Sequence, residues 1–110
     1  MIQYGVFLLM PSPSGEPSPK VYARALEVAL MAENLGFHSI WIAEHHFSNY
    51  GYVPRPLVMA SHIAAKTKNI RIGTGVVVLP LHHPLIVAEE TAMVDILSNG
   101  RLEVGLGRGY

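Results

Sequence analysis

The 110-residue sequence predicts an α/β fold in which strands and helices alternate in the order β-α-β-α-β-α-β. Two observations carry this prediction: short β-branched apolar runs alternate with segments of helical apolar spacing, and turn-forming residues separate them. Alternation with short connections indicates a parallel sheet with right-handed crossovers. Two architectures fit, a small open doubly wound sheet and the first half of a (β/α)8 barrel, which normally needs about 250 residues.

Proline and glycine delimit the first strand and the first helix. Residues 2–9 form an apolar run that ends in a loop rich in Pro, Ser and Gly, which predicts a buried strand. The following apolar periodicity predicts a helix over 19–35. Ser18 is expected to cap this helix, because Pro19 suits the first helical position, where a missing N–H costs nothing. Gly36 provides the C-terminal stop.

The later elements follow the same pattern. Apolar β-branched runs and helical spacing predict, in chain order, a strand at 39–43, a helix at 56–67, a strand at 70–78, a helix at 85–98 and a strand at 101–106. Pro56 opens the second helix, and Asn99 and Gly100 end the third. No internal repeat or interdomain linker interrupts the series.

Composition and charge exclude several classes of function. Eight Lys and Arg residues balance eight Asp and Glu residues, so no basic surface indicates binding to nucleic acid or to an anionic membrane. The chain has no cysteine, which excludes disulfides, thiolate metal sites and cysteine nucleophiles. Neither a signal peptide nor an apolar run of about 18 residues is readable, so we expect a cytoplasmic protein.

The chain is apolar for its size. Charged residues make up 15% of it, against about 25% in typical domains, while apolar residues reach 50%. Small domains need polar residues to cover their relatively large surface, so part of this surface is expected to be hidden. We therefore expect a homo-oligomer or a missing carboxyl-terminal half. Under the barrel interpretation, residues 1–110 form one incomplete amino-terminal half-barrel without an internal boundary.

Acidic and imidazole side chains follow the second predicted strand as Glu44-His45-His46. Ligands of parallel α/β folds bind at the carboxyl ends of the strands, which places these residues at the expected site. Histidine transfers protons near neutral pH, and a neighbouring carboxylate fixes its tautomer and raises its basicity. The alternative is a pair of loop histidines that only bond local backbone. Their position favours function.

No metal site is predicted. Six histidines without cysteine would support only a His/carboxylate site. Adjacent residues that leave a strand point in opposite directions, so the pair His45-His46 does not readily bind one ion. The same argument applies to the pair His82-His83.

Two glycine-containing segments are further candidates. Residues 73–75, Gly-Thr-Gly, lie inside the third strand, which indicates either close approach by a ligand or packing against a large side chain such as Trp41 or Phe7. Arg108 lies between two glycines after the fourth strand. A guanidinium binds phosphate through two parallel hydrogen bonds, and the neighbouring glycines would let such a ligand approach the backbone. The alternative is that this segment is only a flexible chain end.

Several motifs occur in an order typical of one enzyme family. The motifs are Tyr4-Gly5-Val6-Phe7-Leu8-Leu9, Leu35-Gly36-Phe37, Ala43-Glu44-His45-His46-Phe47, Ile72-Gly73-Thr74-Gly75-Val76-Val77-Val78-Leu79-Pro80, His83-Pro84, Asp95-Ile96-Leu97-Ser98-Asn99-Gly100-Arg101 and Gly105-Leu106-Gly107-Arg108-Gly109. Each motif is modest, but their order and spacing over the whole chain resemble the bacterial luciferase-like flavin-dependent monooxygenases.

This resemblance implies a TIM (β/α)8 barrel that binds reduced FMN and uses O2 to oxygenate a small organic substrate. A separate flavin reductase would supply the reduced FMN. The family's catalytic base corresponds to His45, beside Glu44 and His46.

The resemblance also implies how the cofactor is bound. The segment Thr74-Gly75-Val76 corresponds to the strand that lies against the isoalloxazine ring in relatives, with a non-prolyl cis peptide at Gly75-Val76. Arg108 corresponds to an arginine that contacts the flavin phosphate.

The sequence departs from the family pattern in two respects. Gly107 replaces the reactive cysteine of luciferase, so luciferase activity itself is not implied. Family members have the full barrel size, so the 110-residue chain alone is expected to be inactive. Two alternatives stay open: a deazaflavin-dependent oxidoreductase of the same fold, and a half-barrel that acts only as an interaction module. The motif at 44–47 favours FMN.

Overall fold

Four parallel strands in the order β1-β2-β3-β4 form the sheet on which the rest of the chain packs. The computed structural model describes residues 1–109. The strands are β1 (Gly5–Leu8), β2 (Ser39–Ile42), β3 (Arg71–Val78) and β4 (Leu102–Gly107); the helices are α1 (Ser18–Asn34), α2 (Pro56–Lys66) and α3 (Pro84–Leu97), with a 3-10 turn at Leu79–Leu81. This confirms the predicted fold class and element order. Because all strands run the same way, their carboxyl ends lie at one edge, here named the carboxyl edge.

The beginning of the chain differs from the sequence expectation in two ways. The first strand is shorter than the predicted 2–9, because β2 offers only four residues for pairing. Ser18 does not cap α1 and is its first residue instead; the flanking position is Pro17, and no side chain caps the helix. The carbonyl of Pro17 accepts the N–H of Val21 as the first regular helical bond and also the N–H of Lys20, which provides for one of the otherwise unpaired donors.

The two faces of the sheet have different surroundings. On one face, here named the helix-covered face, Ile40, Ile42 and Ile72 are completely buried against the helices. Helix α1 contributes small buried residues to this core at helical spacing, namely Val21, Ala25, Ala29 and Ala32. On the opposite, open face, Phe7 is 58% exposed and Trp41 is half-buried. The alternation follows from the two-residue period of a strand.

Apolar surface remains uncovered beside β4. Val104 and Leu106 are exposed on the side of the sheet where α3 packs, in a groove of about 680 Å³ between that strand and the helix. Within residues 1–109, no helix is long and apolar enough to cross a membrane.

A buried arginine joins the ends of α2 and α3 to the start of β3. The guanidinium of Arg101 donates to the carbonyl oxygens of Ala64 (2.9 Å), Ile70 (3.1 Å) and Ser98 (2.7 Å) and to the hydroxyl of Thr67 (2.8 Å). A cation at the C-terminal end of a helix also interacts favourably with the helix dipole. One side chain therefore satisfies acceptors from three segments.

We expect the substitution Arg101→Met to destabilise the chain by about 3 kcal/mol, because it leaves several buried acceptors without a donor. Chemical denaturation monitored by circular dichroism measures this. The matched control is Arg24→Met, which removes an exposed arginine paired with Glu16 and is expected to cost less than about 1 kcal/mol. Equal effects of the two variants would contradict the structural role of Arg101.

A carboxylate holds the turn before β3. Oε1 of Glu33 accepts hydrogen bonds from the backbone N–H groups of Lys68 (2.8 Å), Asn69 (2.6 Å) and Ile70 (3.0 Å). Burial raises the pKa of Glu33, but the N–H groups of Asn69, Ile70 and Lys68 and the charge of Arg101 lower it, and the net pKa is below its usual value. The ionised side chain therefore stabilises the folded chain.

This lowered pKa gives stability a pH dependence. A carboxyl group whose pKa is lower in the folded than in the unfolded chain contributes stability above the unfolded pKa and loses it as the pH falls through the folded pKa. We expect Glu33→Gln to be less stable than the unmodified chain at pH 7, with a difference that shrinks below about pH 4. Denaturation midpoints across this range measure it. Glu27→Gln, on the exposed side of α1, is the control and should show no such trend.

Candidate active site at the carboxyl edge

The parallel register brings the predicted site residues to the same edge of the sheet. Glu44, His45 and His46 follow β2, and Arg108 follows β4. His82, which follows β3, joins them, although the sequence analysis did not single it out as a site residue. This edge is therefore the candidate site, and the hydrogen bonds decide which of these side chains act together.

The carboxylate of Glu44 is the centre of a buried cluster. Its side chain is completely buried, and Oε1 accepts hydrogen bonds from Nε2 of His46 and Nε2 of His82, both at 2.7 Å. Oε2 accepts the backbone N–H of Val78 at 2.9 Å. Glu44, His46 and His82 are here named the Glu44 cluster. The sequence analysis expected a carboxylate beside a histidine in this segment without naming the histidine; the structure gives Glu44 hydrogen bonds to His46 and His82 and none to His45.

The cluster extends away from the edge through an arginine. Nη1 of Arg55 lies 3.3 Å from Nδ1 of His82, and Nη2 donates to Oε1 of Glu90 at 2.5 Å. Since a guanidinium only donates, Nδ1 of His82 must accept, and the proton of this imidazole is on Nε2. That proton is the one that Glu44 accepts.

The Glu44 cluster has the composition of a metal site. Its three possible ligand atoms lie within 4.8 Å of one another, a grouping that the sequence analysis did not anticipate because His46 and His82 follow different strands. However, a histidine binds a metal through an unprotonated nitrogen, and the arginine leaves the proton of His82 on Nε2. The geometry therefore favours hydrogen bonding over coordination, and the absence of a metal site stays a prediction.

His45 is held by packing rather than by hydrogen bonds. Its ring lies edge-on to the ring of Tyr50, with the centroids 5.0 Å apart, and its buried Nδ1 has no hydrogen-bond partner among residues 1–109. Its backbone N–H donates to the carbonyl of Val53 at 2.9 Å. His45 therefore lies at the carboxyl edge without a hydrogen bond to the Glu44 cluster.

Gly51 is required for this packing. A Cβ atom at this position would lie 2.6 Å from Nδ1 of His45. We expect Gly51→Ala to displace the imidazole, to abolish its nuclear Overhauser contacts with Tyr50 and to cost about 1–3 kcal/mol through overpacking. Nuclear magnetic resonance (NMR) and denaturation measure these effects. Tyr50→Phe keeps the ring edge and should keep the contact; persistence of the contact in Gly51→Ala would contradict the assigned packing.

Thr74 lies on the helix-covered face, opposite Ile42 in the register. It is completely buried, and its hydroxyl group both donates to the carbonyl of Gly105 and accepts the N–H of Gly105, each at 3.0 Å. The hydroxyl is therefore fully used in joining β3 to β4. The cofactor contact of Thr74 stays a prediction, and the structure adds that its hydroxyl is already bonded to the backbone of Gly105.

The segment after Thr74 interrupts the regular pairing of β3. The register with β4 shifts between Thr74 and Val77, and the peptide bond Gly75-Val76 is cis, as the family resemblance implied. An added Cβ at Gly75 would lie 3.0 Å from the ring of Phe7. This contact supports the explanation that Gly75 is needed for packing against a large side chain, here Phe7.

Glycines also give the open face its shape. An added Cβ at Gly73 would overlap the indole of Trp41, and one at Gly107 would lie 2.7 Å from Val76. The result is a surface of backbone and apolar groups next to the carboxyl edge.

Arg108 is exposed and forms no ion pair with another described residue. It is followed by Gly109, whose φ of 73° lies in the left-handed region. Tyr110 lies outside the described residues. The guanidinium is thus available at the end of β4.

The family can now be assigned. The sequence profile described as luciferase-like monooxygenase matches residues 2–110. The chain belongs to the luciferase-like monooxygenase family. This confirms the resemblance and identifies the four-stranded unit as the first half of the family's barrel.

Relatives of known chemistry extend this assignment. The chain is 40% identical to the oxygenase component of the flavin-dependent trigonelline monooxygenase of Acinetobacter baylyi, over 98% of this chain and 30% of that protein. It resembles the crystal structure of monooxygenase RslO1 from Streptomyces bottropensis, with a TM-score of 0.94 and 36% identity. The match covers 99% of this chain and 34% of RslO1. It also resembles the coenzyme F420-dependent tetrahydromethanopterin reductase of Methanopyrus kandleri, with a TM-score of 0.73 and 29% identity. This match covers 99% of this chain and 28% of the reductase.

These relatives are named as two monooxygenases, one of them flavin-dependent, and one reductase that depends on coenzyme F420. The chain spans about 30% of the length of the curated relatives.

Proposed function

We propose that the chain forms the amino-terminal half of a flavin-dependent monooxygenase, with residues 1–110 as one half-barrel of a larger TIM barrel. The observation that carries the proposal is the state of His45, an imidazole at the carboxyl edge whose ring has no hydrogen bond within the described residues. The flavin-dependent monooxygenase among the relatives supports the reaction class.

The residues at this edge fit a flavin. The glycines at 75 and 107 leave backbone exposed beside Val76, and a side chain at either position would meet Phe7 or Val76. A flat ring system needs such a surface for close approach. The guanidinium of Arg108 would bind the flavin phosphate through charge-assisted hydrogen bonds.

Bound reduced FMN would supply the electrons that split O2, so that one oxygen atom enters a small organic substrate and the other leaves as water. His45 would give or take the proton at its ring nitrogen Nε2, since Nδ1 is buried against the turn that contains Gly51. Phe7 and Val76 would exclude water from the reacting centre.

Glu44 and His46 would act next to His45 without sharing its role. Nε2 of His46 is bonded to Glu44, so Nδ1 is the ring nitrogen left for a ligand, and the side chain is 29% exposed. His46 would therefore orient a ligand group through a hydrogen bond at Nδ1. Glu44, completely buried, would hold His46 in place.

The second candidate is a deazaflavin-dependent oxidoreductase. The 29% identity with an F420-dependent reductase over 99% of this chain favours it. The same edge would then support hydride transfer without O2. We place FMN first because the trigonelline monooxygenase relative is more similar, at 40% identity.

The proposed enzyme needs further components. The uncovered apolar groove beside β4 and the unpaired edges of the sheet would pack against a carboxyl-terminal half or against another copy of the chain. A flavin reductase would supply reduced FMN, as the designation oxygenase component implies for the Acinetobacter relative. We propose that the 110-residue chain is inactive alone and acts in the cytoplasm.

Fluorescence titration of the chain with FMN, riboflavin and F420 tests the cofactor. We expect FMN to bind more tightly than F420, and Arg108→Met to weaken FMN binding about tenfold while leaving riboflavin, which has no phosphate, unaffected. Arg24→Met is the control for loss of one positive charge and should change neither affinity.

Each outcome of this titration decides between hypotheses. Tighter binding of F420 would favour the deazaflavin-dependent oxidoreductase, and binding of neither cofactor would favour the interaction module. Equal losses of FMN and riboflavin affinity in Arg108→Met would overturn the phosphate role of Arg108.

A further inference from the structure

We propose that Arg55 and Glu90 are positioning residues for the carboxyl edge, although they lie behind it. Through His82 they fix the hydrogen bonds of Glu44, and through Glu44 they orient His46 and the end of β3 at Val78. The effect on flavin binding rests on the proposed function, whereas the effect on the imidazoles does not.

The first step is the tautomer of His82. Its side chain is 5% exposed, and only one of its nitrogens can carry the proton in the neutral ring. Arg55 donates toward Nδ1, which assigns the proton to Nε2. Besides Arg55, His82 and Glu90, the small cavity at this point is lined by apolar residues that have no side-chain donor: Pro56, Leu57, Val77 and Val87. Arg55 at Nδ1 and the carboxylate of Glu44 at Nε2 therefore favour the same tautomer, and Arg55 is the group that holds the Nδ1 side of the ring.

The second step is the orientation of Arg55. The residue lies just before α2, and Glu90 lies on α3, so their ion pair joins the two helices. Both side chains are partly exposed, at 40% and 29%, so the pair adds little to stability. Its geometric effect is larger: with Nη2 held by Glu90, Nη1 is directed at His82.

The third step connects His82 with the site. Without Arg55 the ring of His82 would be held only at Nε2, and any rotation of the ring would weaken its 2.7 Å hydrogen bond to the carboxylate of Glu44. Glu44 is completely buried and would have to shift. Its bonds to His46 and to the N–H of Val78 would then change, and the residues beside the cis peptide would move with them.

Long-range 1H–15N NMR of histidine rings in the full chain tests this inference. In the unmodified chain we expect His82 to show a proton on Nε2 and an acceptor at Nδ1. In Arg55→Met we expect the Nδ1 signal of His82 to shift, because this acceptor loses its donor, and the His46 signal to change with it. Arg24→Met removes an arginine of similar exposure and should leave both signals unchanged. Glu90→Gln, which keeps Arg55, should produce an intermediate change and serves if Arg55→Met does not fold.

A flavin titration of the same variants links the imidazoles to function. We expect Arg55→Met to bind FMN about tenfold more weakly than Arg24→Met, with an intermediate loss in Glu90→Gln. A proton on Nδ1 of His82 in the unmodified chain, or unchanged His82 and His46 signals in both Arg55→Met and Glu90→Gln, would overturn the inference. If the unmodified chain binds no flavin but the imidazole signals respond as expected, the proposed function fails and the positioning role stands.

Discussion

The buried charge of Glu44 is the constraint on which the carboxyl edge depends. A carboxylate without contact to water is stable only when donors surround it, and here three donors come from different parts of the chain: the ring of His46, the ring of His82 and the N–H of Val78. The chain after β2 and the chain after β3 must therefore meet at this point. The end of β3, two residues after the cis peptide, is bonded to this carboxylate through the N–H of Val78.

The sequence predicted the elements because their signals are local. Apolar periodicity located all three helices to within two residues at each end, and the parallel topology followed from the alternation of strands and helices. The first strand was predicted too long because its length depends on β2, which is distant in sequence. The cap of α1 was assigned to Ser18 because its side chain suits that position, whereas the carbonyl of Pro17 accepts the N–H bonds there.

The position of the candidate site could be predicted, but its hydrogen bonds could not. The rule that ligands bind at the carboxyl ends of parallel strands indicated Glu44, His45 and Arg108. The partnership of Glu44 with His82 spans 38 residues and depends on how the loop after β3 turns back, which no local pattern encodes. Thr74 shares the face of Ile72 through the two-residue period of β3, but the bond of its hydroxyl to Gly105 spans 31 residues, so its structural use was equally hidden.

Two histidines that are adjacent in the sequence are held in different ways, and this difference suits different tasks. His46 shares a buried carboxylate, so a change in its protonation or orientation disturbs the bonds of His82 and Val78 as well. His45 contacts Tyr50 and Gly51 by packing, and its ring makes no hydrogen bond within residues 1–109. The acid–base role proposed for His45 needs that independence, whereas the orienting role proposed for His46 needs the rigidity of the carboxylate. The opposite directions of adjacent side chains after β2 make both possible in one short segment.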